Sequence, residues 1–168
     1  MKDTLWAPWR LEYIRRDEKE DGCFLCRIFA GKDDRTNLVL KRGRTCAIVI
    51  NRYPYSNGHL MVCPYRHVSE LGELTAAERS ETMDLLHEGI VALRKTLDPQ
   101  GFNVGINLGR AAGAGLEEHI HTHLVPRWQG DNNFMPITSQ TKVLVQSLDA
   151  LWEELHPLLQ TESSGPRG

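Results

Sequence analysis

Residues 119–128 read HIHTHLVPRW, so three of the seven histidines in this chain stand at alternate positions. On an α-helix, positions two apart point to nearly opposite sides, and the three imidazoles would not share a face. On a β-strand, alternate side chains project from one face, while Ile120, Thr122 and Leu124 would project from the other. The spacing therefore predicts a strand over residues 119–126 with a row of three imidazoles on one face.

The chemistry of imidazole allows three interpretations of this row. A solvent-facing strand is the least favoured, because histidine is uncommon and three in register rarely arise by chance. A three-histidine metal site is the second, since neighbouring histidines converge on one ion in some zinc enzymes. A nucleophilic histidine supported by its neighbours is the third, because neutral imidazole is nucleophilic near neutral pH and leaves well once protonated.

Four further strands and two helices are predicted around this row. Alternating apolar patterns bounded by turn residues predict strands over 37–43, 44–51, 59–64 and 102–109. Thr75 followed by Glu78 fits a helix capping box. The helix then carries one apolar stripe, formed by Met83, Leu86, Ile90, Leu93 and Leu97. A second amphipathic helix is predicted over about 141–159. Together, these elements predict an α+β fold with a five-stranded antiparallel sheet.

Length and composition indicate one globular domain. The chain has 168 residues, of which 40% are hydrophobic and 25% charged, as is ordinary for such a domain. We expect a single domain over 1–160 with its core at about 20–137, an ordered aromatic segment over 5–14, and a disordered tail over 161–168. The net charge of −2 gives no reason to expect a nucleic-acid polymer or a membrane as partner. No signal peptide or membrane span is recognised, so the cytoplasm is the expected compartment.

The four cysteines form two groups. Cys46 and Cys63 stand inside apolar runs and are expected to be buried free thiols. Cys23 and Cys26 form a C-x-x-C pair, whose spacing in a cytosolic chain indicates metal or redox chemistry more often than a structural disulfide. A redox pair and two unlinked thiols remain the alternatives to a metal site.

The HIHTHLVPRW stretch resembles the His-x-His-x-His signature of the histidine triad (HIT) superfamily of nucleotide hydrolases and transferases. Residues 50–71, INRYPYSNGHLMVCPYRHVSEL, resemble the sheet segment of that family with its Asn and Gly-His. Residues 5–14 and 123–136 are similar to the bacterial branch that resembles diadenosine tetraphosphate phosphorylases and fragile-histidine-triad hydrolases. The resemblance covers roughly residues 5–137 and implies a HIT-like fold.

The resemblance implies roles for particular residues. His121 would be the nucleophile that attacks the α-phosphorus and forms a nucleotidyl-histidine intermediate, and His123 would assist it through a hydrogen bond. Asn51 matches the position that contacts the ribose, and His59 would support the triad. The remaining matches are the walls of the base slot, Val49 and Met61.

A loop of small residues, NLGRAAGAGLEEH at 107–119, leads into the triad. Its glycines, Gly113 and Gly115 among them, would let backbone N–H groups approach a phosphate. Asn107 matches a polar residue of the family at the loop entrance. Arg110 could clamp phosphate and Trp128 could stack on a base, each with a plain surface role as the alternative. Many family members carry Gln or Ser shortly before the triad, whereas this chain has Gly115 and Leu116, which leaves the leaving group and the acceptor open.

The resemblance also implies a structural zinc. Relatives complete a C-x-x-C pair with two histidines, and the matching positions here give the ligand set Cys23, Cys26, His67 and His119. A closed site of this kind has no open position for water. The three histidines would then divide into a metal ligand, a nucleophile and a helper.

The sequence therefore predicts an enzyme that cleaves a dinucleoside polyphosphate, with water or phosphate as the acceptor. Hydrolysis of a nucleoside phosphoramidate or adenylate is the alternative enzymatic function. A non-catalytic, zinc-braced nucleotide-binding module is the alternative from another class. The family resemblance also implies a homodimer with a joined sheet.

Overall fold

The computed structural model describes residues 22–131 and 146–161. In chain order it contains α1 (Phe24–Ala30), β1 (Val39–Arg42), β2 (Cys46–Ile50), β3 (Leu60–Pro64), α2 (Ala76–Leu97), β4 (Gly101–Ile106), β5 (Thr122–Arg127) and α3 (Leu148–Thr161). The predicted α+β class is confirmed. The predictions for segment 5–14 and for the tail beyond residue 161 lie outside the described residues, and the single domain over 1–160 stays a prediction.

The five strands form one antiparallel sheet in the order β1-β2-β3-β5-β4. The pairing of β3 with β5 brings the Gly-His segment next to the triad, because Met61 lies opposite His123. Strand β4 lies outside β5 and places Gly105 opposite the same histidine. The sheet therefore joins residues that are about sixty positions apart in the chain.

The two faces of the sheet have different coverings. Helices α2 and α3 pack on one face, where the main core includes Ile48, Leu60 and Leu124 with Leu93 and Leu155. The other face carries a smaller apolar cluster in which α1 takes part. Its buried members are Cys23, Leu25, Val39, Ala47, Val49, Met61 and Cys63. Because Met61 and His123 are cross-strand partners, the triad strand presents His123 on this second face.

Helix α2 begins as predicted, but its buried stripe differs from the prediction. Thr75 and Glu78 form the reciprocal capping box. Met83 was wrongly placed in the stripe, since it is 65% exposed. The helix instead packs through a row centred on Gly89, where an added Cβ would lie 3.0 Å from Leu124 Cδ2. A glycine allows the helix to approach the sheet closely, and a pattern built on large apolar residues overlooks it.

The triad does not lie wholly on a strand, which corrects the prediction for residues 119–126. Strand β5 begins at Thr122, so only His123 belongs to it. The two residues before His121 are held by other partners: the N–H of Ile120 donates to the carbonyl of Val68, and the ring of His119 donates to the carbonyl of Pro64. These bonds replace the strand ladder for residues 119 and 120.

The helices also differ from the prediction in number and in their end residues. Helix α1 was not predicted, and Cys23 occupies its N-cap position. Helix α3 begins at Leu148 rather than near 141, because residues 146 and 147 are not helical and 141–145 lie outside the described part. It continues to Thr161, two residues past the predicted end. Among the helices described, none combines the length and apolar character that crossing a membrane requires.

Candidate active site and metal centre

Cys23, Cys26, His67 and His119 meet at one point. Their ligand atoms all lie within 4.8 Å of one another. Nδ1 of His119 is 3.2 Å from Sγ of Cys23 and 3.6 Å from Sγ of Cys26, and Nδ1 of His67 is 3.4 Å from Sγ of Cys26. A tetrahedral ion bonded at about 2.3 Å to sulfur and about 2.0 Å to nitrogen separates such donors by roughly 3.5 Å. The donor set and its spacing therefore fit a zinc ion.

The tautomer of His119 supports the same conclusion. Its Nε2 lies 2.9 Å from the carbonyl oxygen of Pro64, which can only accept a hydrogen bond. The ring proton is therefore on Nε2, and the lone pair of Nδ1 faces the two thiols. An imidazole whose remote nitrogen donates to a carbonyl is the usual arrangement of a metal-bound histidine.

Local structure places the four ligands. Cys23 and Cys26 stand at the start of α1, His67 follows β3, and His119 precedes β5. Burial raises the pKa of the Cys23 thiol, while the N–H groups of α1 oppose this shift. Burial also lowers the pKa of His119, which keeps its ring neutral. A metal ion is the chemical partner that makes a buried thiolate favourable.

His121 is positioned by the backbone of the same segment. Its Nδ1 lies 2.8 Å from the carbonyl oxygen of His119, and its residue is 8% exposed. A carbonyl can only accept, so Nδ1 carries the proton and Nε2 carries the lone pair. The ring lies perpendicular to that of His123, with 4.8 Å between the ring centroids.

A chain of hydrogen bonds fixes the protonation of His123. The backbone N–H of Tyr55 donates to Nδ1 of His59 at 3.0 Å, so the proton of the neutral His59 ring is on Nε2. That Nε2 lies 2.9 Å from Nδ1 of His123 and donates to it. His123 must therefore carry its own proton on Nε2. Burial, followed by the nearby His121, lowers the pKa of His123 to about 4, so the ring is neutral at pH 7.

Asn51 and Asn107 lie at opposite ends of this chain. The side-chain oxygen of Asn51 accepts from the N–H of Tyr53 at 2.9 Å, and its amide nitrogen lies 3.3 Å from Nδ1 of His59. The amide of Asn107 lies 3.4 Å from Nε2 of His123. The atom at this distance is the amide nitrogen, and a flip of the amide group would place its oxygen there to accept from the His123 proton. Both residues that the sequence singled out are thus in contact with the histidine system.

One cross-strand row connects the predicted base slot to the triad. Val49 lies opposite Met61, Met61 opposite His123, and His123 opposite Gly105. Val49 and Met61 are 1% and 5% exposed, and both pack in the apolar cluster beside α1. The row runs across β2, β3, β5 and β4. His123 therefore lies between the buried apolar side chains of β2 and β3 and the more exposed strand β4.

The small-residue loop before the triad has internal bonds of its own. The N–H of Gly113 donates to the carbonyl of Arg110 at 3.0 Å, and Gly113 has a left-handed φ of 85° that favours glycine. An added Cβ at Gly115 would meet nothing within 4 Å. The Arg110 guanidinium is 91% exposed and pairs with Glu117 at 2.8 Å. The structure therefore does not aim Arg110 at the triad.

Trp128, which the sequence proposed as a stacking platform for the base, lies far from the triad. It follows the last residue of β5, whereas His121 precedes the first. The rise of a strand puts their backbones roughly 20 Å apart.

A groove of about 350 Å³ opens beside His123 on the side of β4. It is lined by Tyr55, Ser56, Asn103, Val104, Gly105, Asn107, His123, Val125, Arg127 and Asp131. Sequence reasoning singled out only Asn107 and His123 of this set. Tyr55 was missed, and its one signal was its place in the same turn as His59.

Comparison with known proteins agrees with the resemblance found in the sequence. Residues 32–130, more than half of the chain, match the HIT domain family. A Mycobacterium tuberculosis protein named AP-4-A phosphorylase is 41% identical over 165 residues, covering 94% of this chain and 83% of its own length. The asymmetrical bis(5'-nucleosyl)-tetraphosphatase of Schizosaccharomyces pombe is 30% identical over 93 residues, or 55% of this chain and 50% of its own.

Superposition on solved structures also finds histidine triad proteins. A zinc-bound histidine triad family protein from Mycobacterium smegmatis superposes with a TM-score of 0.66 at 24% identity, covering 83% of this chain and 94% of that chain. At this identity, the likeness concerns the fold alone. The resemblance drawn from the sequence, to the superfamily and to its fold, is confirmed.

Proposed function

We propose that this chain, which belongs to the HIT family, cleaves a dinucleoside polyphosphate such as diadenosine tetraphosphate at its α-phosphate. The observation that carries the proposal is the hydrogen bond from Nδ1 of His121 to the carbonyl of His119, at 2.8 Å. It leaves the Nε2 lone pair of His121 as a nucleophile beside the proton donor of His123. The names of the relatives from Mycobacterium tuberculosis and Schizosaccharomyces pombe support this substrate class.

His121 forms and later releases the covalent intermediate. Its Nε2 attacks the α-phosphorus, a P–N bond forms, and the P–O bond to the rest of the polyphosphate breaks. An oxygen of water or of inorganic phosphate then attacks the same phosphorus and expels the imidazole. The neutral ring is the reactive form. Because Nδ1 keeps its proton, the ring bonded to phosphorus carries a positive charge and leaves as neutral imidazole in the second step.

His123 supplies the proton donor in this scheme. Its Nε2–H faces Asn107 and the groove, so it donates a hydrogen bond to an oxygen of the scissile phosphate. His59 is a positioning residue, because its Nε2–H holds Nδ1 of His123 at 2.9 Å and so keeps the second proton outward. The low pKa of His123, about 4, lets it act as a neutral donor at pH 7.

The nucleotide contacts follow from the same row of residues. Asn51 would bind the ribose, and Val49 with Met61, which are buried in the cluster beside α1, would support the wall against which the base packs. Gly115 and its neighbours would donate backbone N–H groups to phosphate, and Asn107 would donate through the N–H of its amide. The N–H of Gly113 already closes a turn, and Arg110 and Trp128 would have only peripheral roles.

The metal would have a structural function. Cys23, Cys26, His67 and His119 would hold one zinc ion, whose bonds supply a cross-link between α1, the segment after β3 and the segment before β5. Because the four protein ligands complete a tetrahedral site, no position is left open for water or phosphate. The carbonyl of the ligand His119 holds His121, so the site would stabilise the nucleophile's position.

A homodimer with a joined sheet is part of the proposal. Side chains of α3 cover the edge of β1: Trp152 Nε1 donates to the carbonyl of Val39, and His156 and Gln160 donate to that of Leu40. The other edge strand, β4, has no buried residue among its six. An edge strand of this kind is suited to pair with a second copy.

Free thiols at all four described cysteines suit a cytoplasmic location.

Two other functions use the same site. A nucleoside phosphoramidate or adenylate would present the same α-phosphorus to His121, with a smaller leaving group. A non-catalytic nucleotide-binding module would need no outward lone pair on His121, and the tautomers assigned from the hydrogen-bond partners favour an enzyme over it.

Product analysis with diadenosine tetraphosphate tests the proposal. Incubation with inorganic phosphate should give ADP and ATP if phosphate is the acceptor, whereas AMP and ATP mean that water is. His121→Ala is the negative control, and the exposed His87→Ala is the matched histidine control. Wild-type protein that binds the substrate but releases no product in either condition would contradict the proposal.

A further inference from the structure

We propose that the groove beside His123 binds the second nucleoside of the substrate, on the leaving-group side of the scissile phosphate. This inference rests on the proposed function. The groove lies across β5 and β4, whereas Val49 and Met61, the proposed walls of the first base slot, lie on β2 and β3. His123 separates the two regions, so a substrate with a nucleoside at each end can span it.

The shape of the groove depends on a glycine. Gly105 lies opposite His123, and a Cβ added to it would meet nothing within 4 Å. Asn103, Gly105, His123, Val125 and Arg127 alternate along the two strands, so they share the face that carries the groove. A volume of about 350 Å³ lies within the range of about 300–1,000 Å³ found for small-molecule sites.

The charge of the groove favours a nucleoside over a free phosphate. Its one guanidinium, that of Arg127, forms two bonds to the carboxylate of Asp131, at 2.5 and 2.8 Å, and a third to the side-chain oxygen of Asn103, at 2.8 Å. The arginine charge is therefore balanced within the groove wall. The lining then offers neutral polar groups, from Ser56, Asn103 and Asn107, beside apolar surface.

An aromatic ring stands at the mouth of the groove. Tyr55 is 48% exposed, and its ring centroid lies 4.7 Å from that of His59 and 5.7 Å from that of His123. One face of a base could stack on this ring, since every nucleobase has a π-face and stacking tolerates different bases. The neighbouring amides provide donors and acceptors for the base edge and the ribose. These features identify the ligand as an uncharged aromatic group with polar edges.

A pair of glycine variants tests the groove. Gly105→Leu places a large side chain inside the groove. Gly101→Leu makes the same change on the same face of β4, opposite Arg127 but outside the groove lining. An added Cβ meets nothing within 4 Å at either position. The measured quantity is the ratio of kcat/KM for diadenosine tetraphosphate to kcat/KM for adenosine 5′-phosphoramidate, which lacks a second nucleoside.

We expect Gly105→Leu to lower this ratio by at least about tenfold, because only the larger substrate enters the groove. Gly101→Leu should leave the ratio within about twofold of wild type. Melting temperature and size-exclusion elution check the folding and assembly of each variant. If Gly105→Leu does not fold, Gly105→Ala and Tyr55→Ala decide the question, and each should lower the same ratio by a smaller factor.

The outcomes separate this inference from the proposed function. An unchanged ratio in the groove variants, or an equal fall in Gly101→Leu, overturns the second-nucleoside site. A wild-type protein that turns over neither substrate overturns the proposed function instead. A groove that holds inorganic phosphate would show itself as a rise in the KM for phosphate in Gly105→Leu with an unchanged ratio, which also counts against the nucleoside.

Discussion

The backbone carbonyl oxygen of His119 lies 2.8 Å from Nδ1 of His121. The same His119 turns its ring to Cys23 and Cys26, with Nδ1 at 3.2 and 3.6 Å from their sulfur atoms. One residue therefore takes part in the candidate metal centre through its side chain and in the candidate active site through its backbone.

Replacing the nucleophile should stop turnover. His121→Ala should lower kcat by at least about a thousandfold, because it removes the imidazole that forms the P–N bond. Nucleotide affinity should stay within about threefold, since the ring bonds to the backbone of His119 rather than to the proposed ribose site. Steady-state kinetics and equilibrium binding measure the two effects. Turnover within about tenfold of wild type would mean that another group attacks.

Removing the positioning ring should affect poor leaving groups most. His59→Asn removes the donor that fixes the tautomer of His123, and kcat for diadenosine tetraphosphate should fall by about 10- to 100-fold. The kcat for adenosine 5′-(p-nitrophenyl phosphate) should fall much less, because the p-nitrophenolate leaving group needs no proton. Equal losses for both substrates would instead indicate a purely structural role for His59.

The ribose contact should appear in KM. Asn51→Ala should raise the KM for nucleoside polyphosphates by about five- to tenfold, the equivalent of one lost hydrogen bond of about 1 kcal/mol. Asn51→Asp keeps an acceptor for the N–H of Tyr53, which lies 2.9 Å from the asparagine oxygen, and for the ribose hydroxyls. It should therefore stay closer to wild type. An unchanged KM in Asn51→Ala would place the ribose elsewhere.

The metal centre should be needed for stability more than for chemistry. Purified protein should hold about one zinc per chain, and the Cys23→Ser, Cys26→Ser double variant should lack it and melt several degrees lower. Some turnover should remain, because the ligands do not contact the phosphate in the proposed mechanism. Cys46→Ser, whose sulfur lies 3.6 Å from two threonine hydroxyls, is the matched control and should keep the metal. Complete inactivation with unchanged folding would point to a catalytic metal.

Acid should weaken the contact that anchors α2 beside the metal centre. Glu78 accepts from Arg66 at 2.7 Å through both carboxylate oxygens, and this bond, with the Thr75 cap and against the cost of burial, lowers its pKa from 4.5 to about 2. The stabilisation is complete above pH 4.5 and is lost as the pH falls towards 2. Glu78→Gln should lower stability by about 1.5–3 kcal/mol at pH 7.

Urea unfolding at several pH values checks this expectation. The stability of Glu78→Gln should depend less on pH between about 4.5 and 2 than that of wild type. The exposed Glu154→Gln is the control and should follow the wild-type curve. Parallel curves for wild type and Glu78→Gln would show that the Arg66 pair contributes nothing that depends on charge.

The chain itself determined the class of fold and supplied most of the candidate site residues. Alternation and turn residues are local patterns, so five strands could be placed to within a few residues, and the capping box at Thr75 was legible for the same reason. The H-x-H-x-H and C-x-x-C spacings carried the chemistry, since residue type and interval are properties of the sequence. Local patterns failed where packing decides: Met83 fits the helical period but lies outside the contact face, which Gly89 sets.

Only the tertiary structure decided which partners surround each of the three histidine rings. The alternation of residues 119–123 predicts one shared face, yet hydrogen bonds to Pro64 and Val68 hold the first two residues off the strand. The proton positions depend on the same kind of partner, because a neutral imidazole places its proton according to what faces each nitrogen. Gly105 gave no signal in the sequence, and Tyr55 gave only its place in the same turn as His59. The pairing of β4 with β5 and the turn before β3 bring both residues beside His123 from distant parts of the chain.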